Sequence, residues 1–150
     1  MRILLENPGN SVPNVFDSAS DAQTLLKRLN EDVFGINYDM GNLLSHATHK
    51  NALEDAWMAL PLADHVHIKP CVRHRNGFDF VSFGDGDTND RALALALLDQ
   101  GKPFSLELPF RLHRDTSAQP WRDEQPVALD RIESLILRSL KELALLNQDQ

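Results

Sequence analysis

The sequence holds one cysteine, Cys71, in 150 residues. An internal disulfide is therefore excluded, and a reducing cytoplasm is the expected setting. Long apolar runs are missing, and none approaches the roughly 20 residues that a membrane span needs. The opening MRILLENPGN has only three consecutive apolar residues before Glu6, so no secretory leader is expected. Basic residues are in the minority, 15 Lys and Arg against 22 Asp and Glu, for a net charge of −7. That balance argues against nucleic acid as a partner, and no membrane partner is expected either. The glycines form no G-x-G-x-x-G after a strand and no phosphate loop ending in G-K-[ST], which lowers the case for a nucleotide fold. What is present is ordinary for a globular chain: 42% hydrophobic and 25% charged residues, in a length that fits one domain over 1–150 with a sizeable core.

Short apolar strands alternate with helical segments four times. RILLENP reads as a strand ended by Pro8, and SASDAQTLLKRLN as a helix whose start is marked by Ser18 and Asp21. FGINYDMGN reads as the second strand, KNALEDAWMALP as a helix stopped by Pro61, and DHVHIKP as the third strand. TNDRALALALLDQG is the next helix, with Gly101 at its end, and PFSLELP the fourth strand. The last helix is QPVALDRIESLILRSLKELALL, with Pro126 in its first turn and a stripe of Leu129, Ile132, Ile136, Leu140 and Leu143. Such repetition implies an α/β fold with parallel strands and right-handed crossovers, either a doubly wound sheet or a closed barrel.

Side-chain alternation separates these two. Ile36 and Tyr38 oppose Asn37 and Asp39; Val66 and Ile68 oppose His65 and His67; Phe104, Leu106 and Leu108 oppose Ser105 and Glu107. Each strand has one apolar face suited to helices and another that turns polar toward its C-terminal end. Strands of a doubly wound sheet are covered on both faces and read as continuously apolar. A barrel with a polar mouth fits better. Each strand end then offers one candidate ligand: Glu6, Asp39, His67 and Glu107. Three carboxylates and an imidazole suit Mn²⁺, Mg²⁺, Co²⁺ or Zn²⁺. Without a cation, buried carboxylates at close range would repel one another and suffer desolvation. Taken singly, a glutamate near a strand end is more often a solvated terminus, and a histidine more often a hydrogen-bonded core residue; the weight rests on four matching placements.

The pieces LLEN, NYDMGN, HVHIKP, FGDGD and SLELP, in this order, resemble the C-terminal half of the xylose isomerase-like TIM barrel superfamily, the group of sugar phosphate isomerases and epimerases, inosose dehydratases and AP-endonuclease-like proteins. The resemblance implies a (β/α)4 half of a TIM barrel. It also implies one divalent metal ion held by Glu6, Asp39, His67 and Glu107. His67 is preferred over His65 as the ligand because it lies nearer the strand's end, where relatives have H-[IL]-K-D. In epimerases of this family the first and last glutamates also form the acid/base pair, which places those catalytic roles on Glu6 and Glu107. The implied activity is an isomerase or epimerase of a small sugar, sugar phosphate or polyol, by proton abstraction next to a carbonyl. An inosose-dehydratase-like lyase and a non-catalytic barrel remnant are the alternatives. Asn42 stands where several sugar epimerases and the DNA-repair members have a histidine, and no D-x-H motif follows the third strand. Abasic-site endonuclease activity is therefore not expected. Pro70 replaces the usual Asp of relatives.

The loops after strands three and four are rich in cations: Lys69, Arg73 and Arg75, then Arg111, Arg114 and Arg122. Barrels often hold phosphate in such loops, and Arg73 falls where family members place a substrate-binding arginine. Asn42, His65, Arg73 and Arg111 are expected to line the substrate site, for a carbohydrate that includes an anionic one. The stretch 109–125 is long enough for a lid over the site, with Trp121 covering it or anchoring the loop. FGDGD lacks calcium-loop spacing and reads as a glycine-assisted turn. A complete barrel has eight units in about 250 residues, and this chain shows four. A homodimer or a complementary N-terminal barrel half is the expected partner.

Overall fold

A computed structural model describes residues 1–9, 14–47 and 49–146. Four parallel strands, β1 (Ile3–Glu6), β2 (Phe34–Asp39), β3 (His65–Ile68) and β6 (Phe104–Leu106), form one sheet in the order β1-β2-β3-β6. Helices α1 (Ala19–Leu26), α2 (Met40–His46), α3 (Ala52–Ala59), α4 (Asp90–Asp99) and α5 (Leu129–Leu146) complete the parallel units. The sheet's apolar face carries the core: Ile36, Tyr38, Val66 and Ile68 are essentially inaccessible and pack with Ala22, Leu43, Ala56, Leu93 and Leu97 from the helices. Each β-branched or aromatic side chain alternates with a polar one, so the opposite face is free to collect Glu6, Asn37, Asp39, His65, His67 and Ser105.

Local signals set the helix starts. The Asp21 carboxylate accepts from the Ser18 amide at 3.1 Å and the Ser18 hydroxyl at 2.7 Å, which closes the first turn of α1 and lowers the Asp21 pKa. Asn51 accepts from the Glu54 amide at the start of α3. Gly101, with φ 61°, ends the turn after α4.

Several elements differ from the sequence expectation. The second strand stops at Asp39, and Met40–His46 is a helix, α2, rather than a continuation of the strand. Asp39 is its N-cap, accepting from the Asn42 amide at 2.9 Å, so strand and helix abut with no intervening loop. Gly41 permits this close approach. A Cβ there would stand 2.4 Å from the Lys69 carbonyl oxygen.

The segments after β3 and β6 are not open loops either. β4 (Cys71–His74), β5 (Gly77–Phe80), β7 (Leu112–Asp115) and β8 (Pro120–Arg122) build a second, antiparallel sheet in the order β4-β5-β7-β8. The expected lid is therefore half of a sheet, pinned over a small cluster of Cys71, Phe78, Phe80 and Leu112. Its turn is fixed by Asp115, whose Oδ1 accepts from the Ser117 and Gln119 amides at 2.8 and 2.9 Å. Trp121 anchors the hairpin, stacking on His113 with ring centroids 4.1 Å apart.

The last helix begins at Leu129, so Pro126 lies before it rather than in its first turn. Its expected stripe is not wholly buried: Leu129, Ile136 and Leu140 are exposed. Phe83 and Ser139 join α5 to the FGDGD segment, the Phe83 amide donating to Ser139 Oγ at 3.0 Å. That segment is a glycine-assisted turn as read, with Gly84 at φ 89°.

Candidate metal centre

The four candidate ligands occupy a staircase in the register. Glu6 pairs with Asn37 and Asn37 with His65, while Asp39 pairs with His67 and His67 with Ser105. Glu107 follows two residues later, its amide donating to the Ile68 carbonyl at 2.9 Å. In a tilted barrel sheet the level at the mouth advances along the chain from strand to strand. Residues stepped along the register thus arrive at one height. One donor atom from each of Glu6, Asp39, His67 and Glu107 lies within 4.8 Å of the others, the single such group among the described residues.

His67 stands at the centre. Its Nδ1 is 3.3 Å from Glu6 Oε1, 3.2 Å from Glu107 Oε2 and 4.0 Å from Asp39 Oδ2. The adjacent Glu107 and Glu6 carboxylates hold its pKa up, to about 10, against partial burial. The reciprocal contact with His67, aided by Lys69, brings Glu107 down to about 2. Burial drives Asp39 the other way, up to about 7, although Lys69 and the Asn42 amide oppose it. Asp39 is 0% exposed, and its Oδ2 has no hydrogen-bond partner. A buried acceptor without a donor is costly unless a cation faces it. The Lys69 ammonium, 3.6 Å away, is too far to donate a hydrogen bond to this oxygen, and one ammonium does not balance the three carboxylates gathered here with an imidazole; the set fits a divalent metal ion.

Further residues build the surround. The Asn7 side chain bridges to the Asp39 backbone, donating to its carbonyl at 2.8 Å and accepting from its amide at 2.7 Å. Asn42, an expected substrate residue, donates to Glu6 Oε1 at 3.2 Å and to the Asn7 carbonyl at 3.0 Å. Lys69, read from the sequence as a loop cation, is buried in the site. Its Nζ donates to Glu107 Oε1 at 2.8 Å and Asn42 Oδ1 at 3.1 Å, and lies 3.6 Å from Asp39 Oδ2. His65 lies edge-on to His67, with ring centroids 5.7 Å apart, and its Nε2 is 2.9 Å from Ser105 Oγ. Burial and the neighbouring His67 lower the His65 pKa.

The two expected anion-binding arginines are placed otherwise engaged. Arg73 is exposed, its guanidinium 5.7 Å from the Phe78 ring centroid. Arg111 spends its donors on the Asp123 and Glu124 carbonyls. Arg114, not singled out from the sequence, is the buried one, at 6% exposure. An apolar cavity of about 910 Å³ lies elsewhere, a groove between β6 and α5 lined by Phe104, Leu106, Leu108, Ile132, Ile136 and Leu140. Leu106 belongs to the helix-facing side of β6, so this groove lies across the sheet from the ligand-bearing face.

A parallel strand–helix half with candidate ligands at its strand ends defines a class. The family model for the xylose isomerase-like TIM barrel matches residues 1–132, and the chain belongs to that family. Among solved structures, it is similar to a xylose isomerase-like TIM barrel protein from Mycobacterium smegmatis in complex with magnesium, at 23% identity and a TM-score of 0.59 over 73% of this chain. A xylose isomerase domain protein from Planctomyces limnophilus is similar at 22% identity and a TM-score of 0.53 over 71% of this chain. The match spans 38% of the length of each of those chains, so four parallel strands correspond to part of a barrel. No curated protein matches. Among the described residues no helix is long and apolar enough to cross a membrane.

Proposed function

We propose that Glu6, Asp39, His67 and Glu107 hold one divalent metal ion, Mn²⁺, Mg²⁺, Co²⁺ or Zn²⁺. The site then serves an isomerase or epimerase acting on a small sugar, sugar phosphate or polyol, by proton abstraction next to a carbonyl. The observation that carries the reading is the convergence of four donors from four strand ends within 4.8 Å, around a buried Asp39 oxygen that accepts no hydrogen bond. Membership of a superfamily that includes sugar isomerases and epimerases supports it, as does a neighbour described with magnesium. When bound, the ion supplies Lewis acidity toward the substrate's carbonyl and adjacent hydroxyl oxygens.

The chain's own residues divide the remaining work. Asp39 is wholly enclosed and fixed through Asn7 and Asn42, which suits a permanent ligand. The Glu6 and Glu107 side chains keep 35% and 38% of their surface open, so each can meet a substrate. They approach the same His67 nitrogen, and one takes the proton while the other returns it. Lys69 holds the Glu107 carboxylate in its ionised form through a 2.8 Å contact. This reading also requires a complement for the unpaired edges β1 and β6, either a second copy or a separate barrel half.

Calorimetric titration with Mn²⁺, followed by incubation of the loaded chain with ketoses in deuterated water, tests the proposal. One bound ion and deuterium at the carbon next to the carbonyl, both lost in Glu107→Gln, are expected. Stoichiometric metal without exchange would favour a non-catalytic barrel half, and absence of metal binding would remove the site altogether.

A further inference from the structure

Among the cationic side chains near the site, Arg114 is the one whose charge the described structure leaves unexplained. It lies on β7, in the second sheet, and is 6% exposed. Its Nη1 donates to the Ala118 carbonyl at 3.1 Å, and its buried Nε has no partner. No described carboxylate forms an ion pair with it, unlike Lys69, which meets Glu107 and Asp39. The turn served by Ala118 is already held by Asp115, so a neutral carbonyl does not account for a buried cation.

The position of the guanidinium is informative. A Cβ built on Gly9 would stand 2.7 Å from Arg114 Nη2 and 2.4 Å from Asn42 Oδ1. Gly9 lies three residues beyond Glu6, and Asn42 itself donates to Glu6 Oε1 at 3.2 Å, so the guanidinium and the Asn42 amide meet at one point beside the ligand cluster. Asp39 and Glu107 are the charges that act on Arg114 electrostatically. The charges around this space then add up in a definite way, given the metal site proposed above. Glu6, Asp39 and Glu107 contribute three negative charges. A divalent ion with neutral His67 contributes two positive ones, and Lys69 and Arg114 two more. One positive charge is left over.

We propose that Arg114 is an anion-recognition residue, and that the site selects a singly charged polyhydroxy carboxylate, a sugar acid, over a neutral polyol. A carboxylate accepts from a guanidinium in the geometry that arginine favours. A phosphate monoester is largely doubly charged at neutral pH and would overshoot the balance. The proposal rests on the metal reading for its charge count, and on Arg114 alone for its contact.

The test is calorimetric binding to the full Mn²⁺-loaded chain, with D-gluconate, D-glucitol and D-glucose 6-phosphate as probes. Gluconate should bind at least about tenfold more tightly than glucitol, and Arg114→Met should erase the difference while Arg114→Lys keeps part of it. Equal binding of gluconate and glucitol, or a preference that survives in Arg114→Met, overturns the proposal. Tighter binding of the phosphate than of gluconate overturns the single-charge assignment. Should Arg114→Met fail to fold by circular dichroism, Gly9→Ala keeps the arginine and places a methyl group against it. Loss of the gluconate preference there supports the contact, and an unchanged preference refutes it. Should Mn²⁺ not bind, the underlying reading falls. The guanidinium is then tested alone in the metal-free chain, where weaker gluconate binding in Arg114→Met than in wild type keeps the contact and equal binding removes it.

Discussion

Metal binding at this centre should displace a proton, and the contacts of His67 give the sign of the effect. In the metal-free site the His67 imidazole sits between two carboxylates that raise its pKa to about 10. Between about pH 7 and pH 9 it is therefore charged, yet a ligating histidine must be neutral. Each ion bound should release about one proton, and affinity should rise about tenfold for each pH unit in that range. Below the Asp39 pKa, pushed up to about 7 by burial, a second proton joins the competition and the dependence steepens. Mn²⁺ titrations in buffers of differing ionisation enthalpy measure the number released directly. A dissociation constant independent of pH, with no proton release, would refute the ligand role of His67.

The remaining predictions concern the frame around the ligands. With metal chelated, the His67 contribution to stability is complete below its unfolded value of 6.5 and is lost as pH rises toward 10; that of Glu107 is complete above 4.5 and is lost as pH falls toward 2. Asp39, raised to about 7 by burial, adds a contribution that is complete below 3.8 and is lost as pH rises toward 7, so melting temperatures in chelator should peak near the unfolded carboxylate values of 3.8 and 4.5, fall as pH rises toward 10 and fall again as pH drops toward 2; a flat profile would count against the pairing. Asn7→Ala strips the partners from the buried Asp39 amide and carbonyl, so a loss of about 2–5 kcal/mol is expected in urea unfolding; a loss below about 0.5 kcal/mol would contradict the bridging role. Gly41→Ala drives a Cβ against the Lys69 carbonyl and should cost about 1–3 kcal/mol, while also weakening Mn²⁺ binding as Lys69 shifts. Lys69→Met should reduce Mn²⁺ affinity by about 10–100-fold, because Glu107 and Asn42 lose the group that orients them; unchanged affinity would make Lys69 a bystander.

The parallel half of this fold was legible because period-two alternation is strong where one strand face packs on helices. Ile36, Tyr38, Val66 and Ile68 declare that face, and their neighbours declare the other. The same alternation put Glu6, Asp39, His67 and Glu107 on one side before any coordinates. The join of β2 and α2 was hidden because Asp39 serves at once as last strand residue and helix cap, so no turn residue separates the two. The second sheet was hidden because strands of three or four residues rich in His, Arg and Asp carry too little apolar periodicity to be seen. Arg114 went with it. Once LHRD is a strand, Leu112 and Arg114 share a face, and Leu112 packs inward beside Phe78 and Phe80. Asn7 and Lys69 stood inside the quoted motifs, but their roles come from contacts across strands that local spacing does not encode.

Diffraction from crystals grown with Mn²⁺, recorded at the manganese absorption edge, addresses the metal assignment most directly. A single anomalous peak bounded by the Glu6, Asp39 and Glu107 carboxylates and the His67 imidazole is the expected result. A map with no peak there, under saturating Mn²⁺, would contradict it and leave the four side chains as a proton-sharing cluster.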